Sequence, residues 1–244
     1  MPMLKRGCVV LLVTLASACG GSNPLPSAPS TPSVGPTSTF HVTGIATDDD
    51  GNPVAGANIT VQPFVDSAVQ KSVPPVVVVT DGAGFYRLDF AANRDAGGFI
   101  ASVKAESPGH DTAYYNIRPV STSQNASQNI NLYRIKRISA GESIVMTVLP
   151  SDSLCGSNNS EALCRYVHLV APSDGLMTIG VVPPLGGAYA FGAQVVGGPG
   201  FGWDNPLSFR VTAGAEVVVT IGVFWGWTLP DPQSFLLSTS LARP

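Results

Sequence analysis

The chain has 244 residues, only 12% of them Asp, Glu, Lys or Arg, and a formal net charge of −3. No Arg/Lys run is present to track phosphates, so nucleic acid is excluded as an expected partner. With 26 glycines and 21 prolines, and no helical periodicity of useful length beyond the N-terminus, the composition excludes a helical bundle and predicts an all-β fold of short strands cut by turns.

Lys5 and Arg6 precede the apolar run Cys8–Leu15 (CVVLLVTL) and the small residues Ala16-Ser17-Ala18. These are the three regions of an export signal, so residues 1–18 are expected to be removed. The run is shorter than the about 20 residues a spanning helix needs, and no later segment is long and apolar enough to span. Two fates then compete for Cys19. Ordinary cleavage after Ala-x-Ala leaves it a bare N-terminal thiol. The stretch Leu15-Ala16-Ser17-Ala18-Cys19 also resembles a bacterial lipobox, with its leucine one place further from the cysteine than usual. That resemblance implies acylation of Cys19 and a membrane anchor, each buried CH₂ contributing about 0.8 kcal/mol.

Counting cysteines bears on the choice. Of four, Cys8 leaves with the signal. Cys155 and Cys164 bound a polar loop (CGSNNSEALC), and in an oxidising compartment they are expected to pair. The alternative is that both stay reduced. A metal site is disfavoured because the spacing is not C-x-x-C and His168 is the only histidine nearby. Pairing strands Cys19, which acylation accounts for better than a free thiol does. Gly20 after the cysteine resembles lipoproteins sent to the outer membrane. The expected location is therefore the cell envelope, at the outer membrane, on its periplasmic or surface face. The rest of residues 19–38 (GGSNPLPSAPSTPSVGPTS) is too poor in apolar side chains to fold. It is expected to be an extended linker of about 3.1 Å per residue.

Residues 39–134 form the first predicted domain. In FHVTGIATD, Phe40, Val42, Gly44 and Ala46 share one face while His41, Thr43, Ile45 and Thr47 share the other. DDDGNPVAG is a turn, ANITVQPF a second strand, and Val76–Thr80 (VVVVT) is apolar enough to be expected as a buried strand. TDGAG turns into FYRLDF, and FIASVKAES, AYYNI and NINLY complete seven short strands, the number of a sandwich of about 100 residues. FHVTGIATDDDGNPVAGANITV followed by TDGAGFYRLDF resembles the carboxypeptidase regulatory-like domain, a transthyretin-like β-sandwich. Asp48, Gly51, Pro53, Val54, Gly56 and Ala57 match its first block; Thr80, Asp81, Gly84 and Tyr86 match its second. Ala105 and Gly109 meet a later feature, where His110 replaces an aromatic residue. The resemblance implies a non-catalytic accessory module with no catalytic residue to carry over.

Residues 135–244 form the second predicted domain, with strands SIVMTVL, RYVHLVA, GLMTIGVV, AYAFGAQVV, LSFRVT, EVVVTIGVF and SFLLSTSL. AGESIVMTV, APSDGLMTIGV and VTAGAEVVVTIGV resemble the bacterial pre-peptidase C-terminal type of β-sandwich or jelly roll. That family too is a non-catalytic passenger. The expected architecture is thus two β-sandwich domains in tandem after a signal peptide and a Pro/Ser-rich linker.

Candidate sites are few. Asp48–Asn52 (DDDGN) places three carboxylates beside a glycine, as calcium prefers. The twelfth place of an EF-hand loop holds Ile59 rather than Glu, so a turn whose aspartates bond the local backbone is favoured. No H-E-x-x-H or G-x-S-x-G is present, and His41 and His168 read as ordinary strand residues. GGPGFGWDNP lacks a following helix, and Pro199 removes a donor, so it is not a phosphate loop. All three tryptophans, Trp203, Trp225 and Trp227, fall in the second domain; exposed, they are candidates to stack on sugars, and buried, they cap the core. The expected function is a membrane-anchored lipoprotein of non-catalytic binding or scaffold modules, needing no cofactor and no metal, with a glycan or an envelope protein as partner. A carbohydrate-binding or adhesion protein using the tryptophans is the alternative. A third reading, an enzyme assembled between the domains, requires His, Asp or Glu to converge in a pocket.

Overall fold

The computed structural model describes residues 38–64, 74–94, 98–120, 122–155, 162–183, 190–197, 204–224, 229 and 231–243. Every regular element among them is a strand. In chain order these are β1 (Ser38–Thr47), β2 (Asn58–Pro63), β3 (Val76–Val79), β4 (Phe85–Ala92), β5 (Ala101–Glu106), β6 (Ala113–Ile117), β7 (Asn125–Ser127) and β8 (Ile130–Asn131). They continue as β9 (Arg137–Ser139), β10 (Ser143–Val148), β11 (Leu163–Val170), β12 (Gly175–Val182), β13 (Ala190–Val195), β14 (Leu207–Val211), β15 (Glu216–Phe224) and β16 (Gln233–Ala242).

Side-chain alternation builds the first sandwich. β1 buries Phe40, Val42, Gly44 and Ala46, and β4 alternates strictly between exposed and buried positions. β4 pairs antiparallel with one side of β1, and β7 and β8 pair parallel with the other. The facing sheet runs β3-β2-β5-β6, antiparallel throughout. Phe40, Val42, Tyr86 and Phe90 meet Ile59, Val61, Val103 and Ile117 between the sheets. Each such side chain contributes about 1.5–3 kcal/mol by leaving water.

The turn residues act structurally. Asp48 Oδ1 accepts from the N–H groups of Asp50 and Asn52 at 3.0 and 2.9 Å. The Asp81 carboxylate does the same for Ala83 and Phe85, both at 2.9 Å. Gly84 has φ of +70°, and a Cβ there would lie 2.5 Å from Ala46 O, so both backbone conformation and space require glycine. Tyr86 donates its hydroxyl to Gln128 O, holding the β7–β8 segment against β1.

The expectation for Val76–Thr80 is corrected. β3 stands at the edge of its sheet, paired with β2 alone. Val76 and Val78 pack against the core, while Val77 and Val79 are 56% and 55% exposed. Four valines in a row favour burial on both faces, but which strand ends a sheet depends on pairing with distant residues. Thr80 itself is buried.

In the second sandwich one sheet runs β10-β16-β12-β14 and the other β13-β15-β11-β9. All pairs are antiparallel except β9 with β11. Val167, Leu169, Val219 and Ile221 face Met177, Ile179, Phe235 and Leu237 across the core. The Phe191 and Phe235 rings sit 5.1 Å apart between their centroids. The two cores are separate, yet both sandwiches belong to one compact unit.

Candidate functional site

The outer face of β11 explains why the two sandwiches hold together. Along RYVHLVA, Val167 and Leu169 point to the core, so Tyr166 and His168 lie on the opposite face. Such a face normally meets water, yet Val167, His168 and Leu169 are all buried in succession. The 107–114 segment of the first sandwich covers it. His168 Nε2 lies 2.8 Å from Asp111 Oδ1 in that segment. Its Nδ1 lies 2.6 Å from Glu216 Oε1 on β15. Val218 pairs directly with His168 in the sheet, which places Glu216 at the diagonal position on the same face. The second carboxylate oxygen of Glu216 accepts from Arg137 Nε at 3.1 Å.

Burial pushes the Asp111 carboxyl above its ordinary range, opposed by the His168 hydrogen bond and charge. Glu216 is held below its ordinary value by the Arg137 hydrogen bond and then by that of His168. Beside this triad opens a cleft of about 420 Å³, lined among others by Asp111, Tyr114, Tyr166, His168, Gln194 and Thr220. Burial pushes the Tyr166 phenol well above its ordinary value, so its hydroxyl stays protonated and can donate. The cleft is thus lined by two tyrosines, threonines and a glutamine, and the Asp111 carboxylate among its lining residues is engaged by the His168 imidazole.

A second cluster fixes the junction further along. The Asp152 carboxylate is fully buried. It accepts the Tyr133 hydroxyl, and the Leu149 N–H at 2.9 Å. Burial raises the Asp152 carboxyl, while Tyr133 and Leu149 pull the other way. The Arg165 guanidinium lies 3.3 Å from the Tyr133 ring centroid and donates to Thr147 O at 3.1 Å. Next to this cluster, Cys155 and Cys164 form a disulfide with Cα atoms 5.0 Å apart. Leu154 N–H, adjoining the bridge, donates to Tyr114 O at 2.8 Å and so ties the bridged segment to the edge strand β6.

At the aspartate turn, Arg134 pairs with Asp48, and with Asp50 at 2.8 Å. Among the described residues no cluster of three or more His, Cys, Asp or Glu is arranged for a metal. Of the other histidines, His41 bonds Asp89 at 2.8 Å on the surface, and His110 donates to Pro108 O at 3.1 Å. Cys19, Trp203, Trp225 and Trp227 lie outside the described residues.

His168 lies within a strand, as its sequence context suggests, and it also joins the two sandwiches through Asp111. Its partners Asp111 and Glu216 lie 57 and 48 residues away, beyond the reach of any local pattern. One signal was available: an imidazole buried in a run as apolar as V-H-L-V needs a polar partner.

No family model matches the chain. No curated protein matches it either. Among solved structures, 3-chlorocatechol 1,2-dioxygenase from Rhodococcus opacus is 11% identical, with a TM-score of 0.32 over 43% of this chain and 63% of that one. Hydroxyquinol 1,2-dioxygenase from Pseudomonas putida is 12% identical, with a TM-score of 0.30 over 39% of this chain and 56% of that one. The pre-peptidase C-terminal domain of a Bacillus anthracis collagenase is 11% identical, with a TM-score of 0.29 over 44% of this chain and 95% of that one. The chain thus spans less than two thirds of the length of these two dioxygenases. Catechol 1,2-dioxygenases recur among the similar structures, and the expectation that the chain is not an enzyme is not kept. The convergence of His, Asp and Glu that an enzyme between the domains requires is also present. TM-scores near 0.3 transfer no activity, and the dioxygenase chemistry remains that of the neighbours.

Proposed function

We propose that this chain is an exported lipoprotein, anchored through an acylated Cys19, whose joined sandwiches bind a hydroxyl-rich ligand such as an envelope glycan in the cleft between them. The signal, the lipobox-like stretch and the proline-rich linker support the anchor. We read the first sandwich as carboxypeptidase regulatory-like. Supporting this, the matching residues Asp48, Asp81 and Gly84 shape the turns that the motif would require. The second sandwich we read as the pre-peptidase C-terminal type, on its sequence pattern.

One observation carries the ligand reading. The cleft combines the aromatic rings of Tyr114 and Tyr166 with Thr220 and Gln194, while His168 already engages the Asp111 charge. Ring faces and neutral hydrogen-bonding groups suit a polyol better than an ion. Two measurements test the proposal. The intact mass of the exported protein should show a chain beginning at Cys19 and carrying acyl groups. Calorimetric titration with envelope oligosaccharides should give binding that Tyr166→Ala weakens about tenfold, the scale of one stacked ring. An unmodified Cys19 overturns the anchor. Binding unaffected by Tyr166→Ala but lost on Trp225→Ala or Trp227→Ala moves the ligand to the tryptophans.

A further inference from the structure

His168 meets a carboxylate at each ring nitrogen. Asp111 Oδ1 lies at 2.8 Å and comes from the first sandwich; Glu216 Oε1 lies at 2.6 Å and comes from the second, which carries His168. An ionised carboxylate only accepts, and an uncharged imidazole has a single N–H. Between two carboxylates such a ring makes one hydrogen bond and aims the other nitrogen's lone pair at oxygen. Both contacts form only when the three groups hold two protons. Either an imidazolium lies between two carboxylates, or a neutral ring has one protonated carboxyl beside it.

We propose that His168 is a proton-dependent latch between the two sandwiches, closed while Asp111, His168 and Glu216 share two protons and loosened when a rise in pH removes one. The surroundings decide which contact opens. Arg137 on β9 holds the other oxygen of Glu216 at 3.1 Å and keeps that side ionised. The remaining ring proton therefore stays at Nδ1, between His168 and Glu216. Asp111 lies among His110 of its own segment, Tyr114 of β6 and Tyr166 of β11. His110 and Arg165 also act on it through space. It is buried, and burial disfavours its charge. The Asp111–His168 contact crosses between the sandwiches, and it is the one that loses its proton. Its opening weakens the junction and changes the wall of the cleft.

Amide hydrogen exchange on the mature chain reads the latch. The Asp111 and Leu154 N–H groups bond Tyr133 O and Tyr114 O, both at 2.8 Å. Val103 and Ile221, deep in the two cores, serve as references. Between about pH 5.5 and pH 8.5, protection at Asp111 and Leu154, corrected for intrinsic exchange, should fall about tenfold, the scale of one charge-assisted hydrogen bond. The references should not move. Asp111→Asn supplies an amide N–H that can donate to an uncharged Nε2, so its junction should stay protected at the higher pH. His168→Gln should abolish the pH dependence. A fall in Asp111→Asn equal to that of the unaltered chain, an absence of any fall in the unaltered chain, or a matching fall at the references overturns the latch.

Discussion

Thr80 offers a test of what holds the first sandwich together. Its buried hydroxyl donates to Val54 O at 2.7 Å and accepts from Ala57 N–H at 2.9 Å. Thr80 N–H and C=O bond Ala57 O and Gly56 N–H, both at 3.0 Å. The side chain thus joins the turn before β2 to the end of β3. Thr80→Val keeps the shape and deletes both hydroxyl bonds, leaving a buried donor and a buried acceptor unmade. Each costs about 1–3 kcal/mol, and the added methyl returns about 0.8 kcal/mol. The expected net loss is about 3 kcal/mol. Thr80→Ser keeps the hydroxyl and removes one methyl, costing about 1 kcal/mol. With a urea slope of about 2 kcal/mol/M, the midpoints followed by far-UV circular dichroism should fall by about 1.5 M and about 0.5 M. If apolar burial alone decided the matter, valine would be the milder substitution. A serine variant less stable than the valine variant refutes the reasoning.

Other perturbations have similarly direct readouts. Val77→Thr, on the exposed side of the edge strand, should change stability by less than about 0.5 kcal/mol. Val78→Ala, which faces the core, should cost about 1 kcal/mol by the same urea measurement. Replacing Cys155 and Cys164 by serine opens the bridge and should cost about 2–3 kcal/mol in thermal or urea unfolding. Glu216, whose carboxyl is held low by Arg137 and then His168, contributes stability above the ordinary glutamate range and loses it as pH falls through the lowered value. Glu216→Gln should therefore show a smaller drop in Tm between about pH 5 and pH 3 than the unaltered chain.

Local chemistry was legible in the sequence, and distant pairing was not. Strands such as β1 and β4 announce themselves because alternate residues are apolar and the sheet period is two. The aspartate and glycine turns around Asp48 and Asp81 are readable because each carboxylate bonds amides two to four residues onward. The short β7 and β9, each three residues long, carry too little pattern to detect and form only because β1 and β11 offer them an edge. Arg134 binds Asp48 from 86 residues away, and Asp111 reaches His168 across 57. Nothing local names either partner, although the apolar run around His168 shows that it needs one. The junction arises because the outer face of β11 carries Tyr166 and His168, and the 107–114 segment of the first sandwich covers it.

The most direct test of a ligand-binding cleft between the sandwiches is an amide chemical-shift map of the mature protein, recorded during titration with an envelope oligosaccharide. The account predicts saturable shifts centred on Tyr114, Tyr166, Gln194 and Thr220. Shifts confined to the region of Trp225 and Trp227, or none anywhere near the junction, would contradict it.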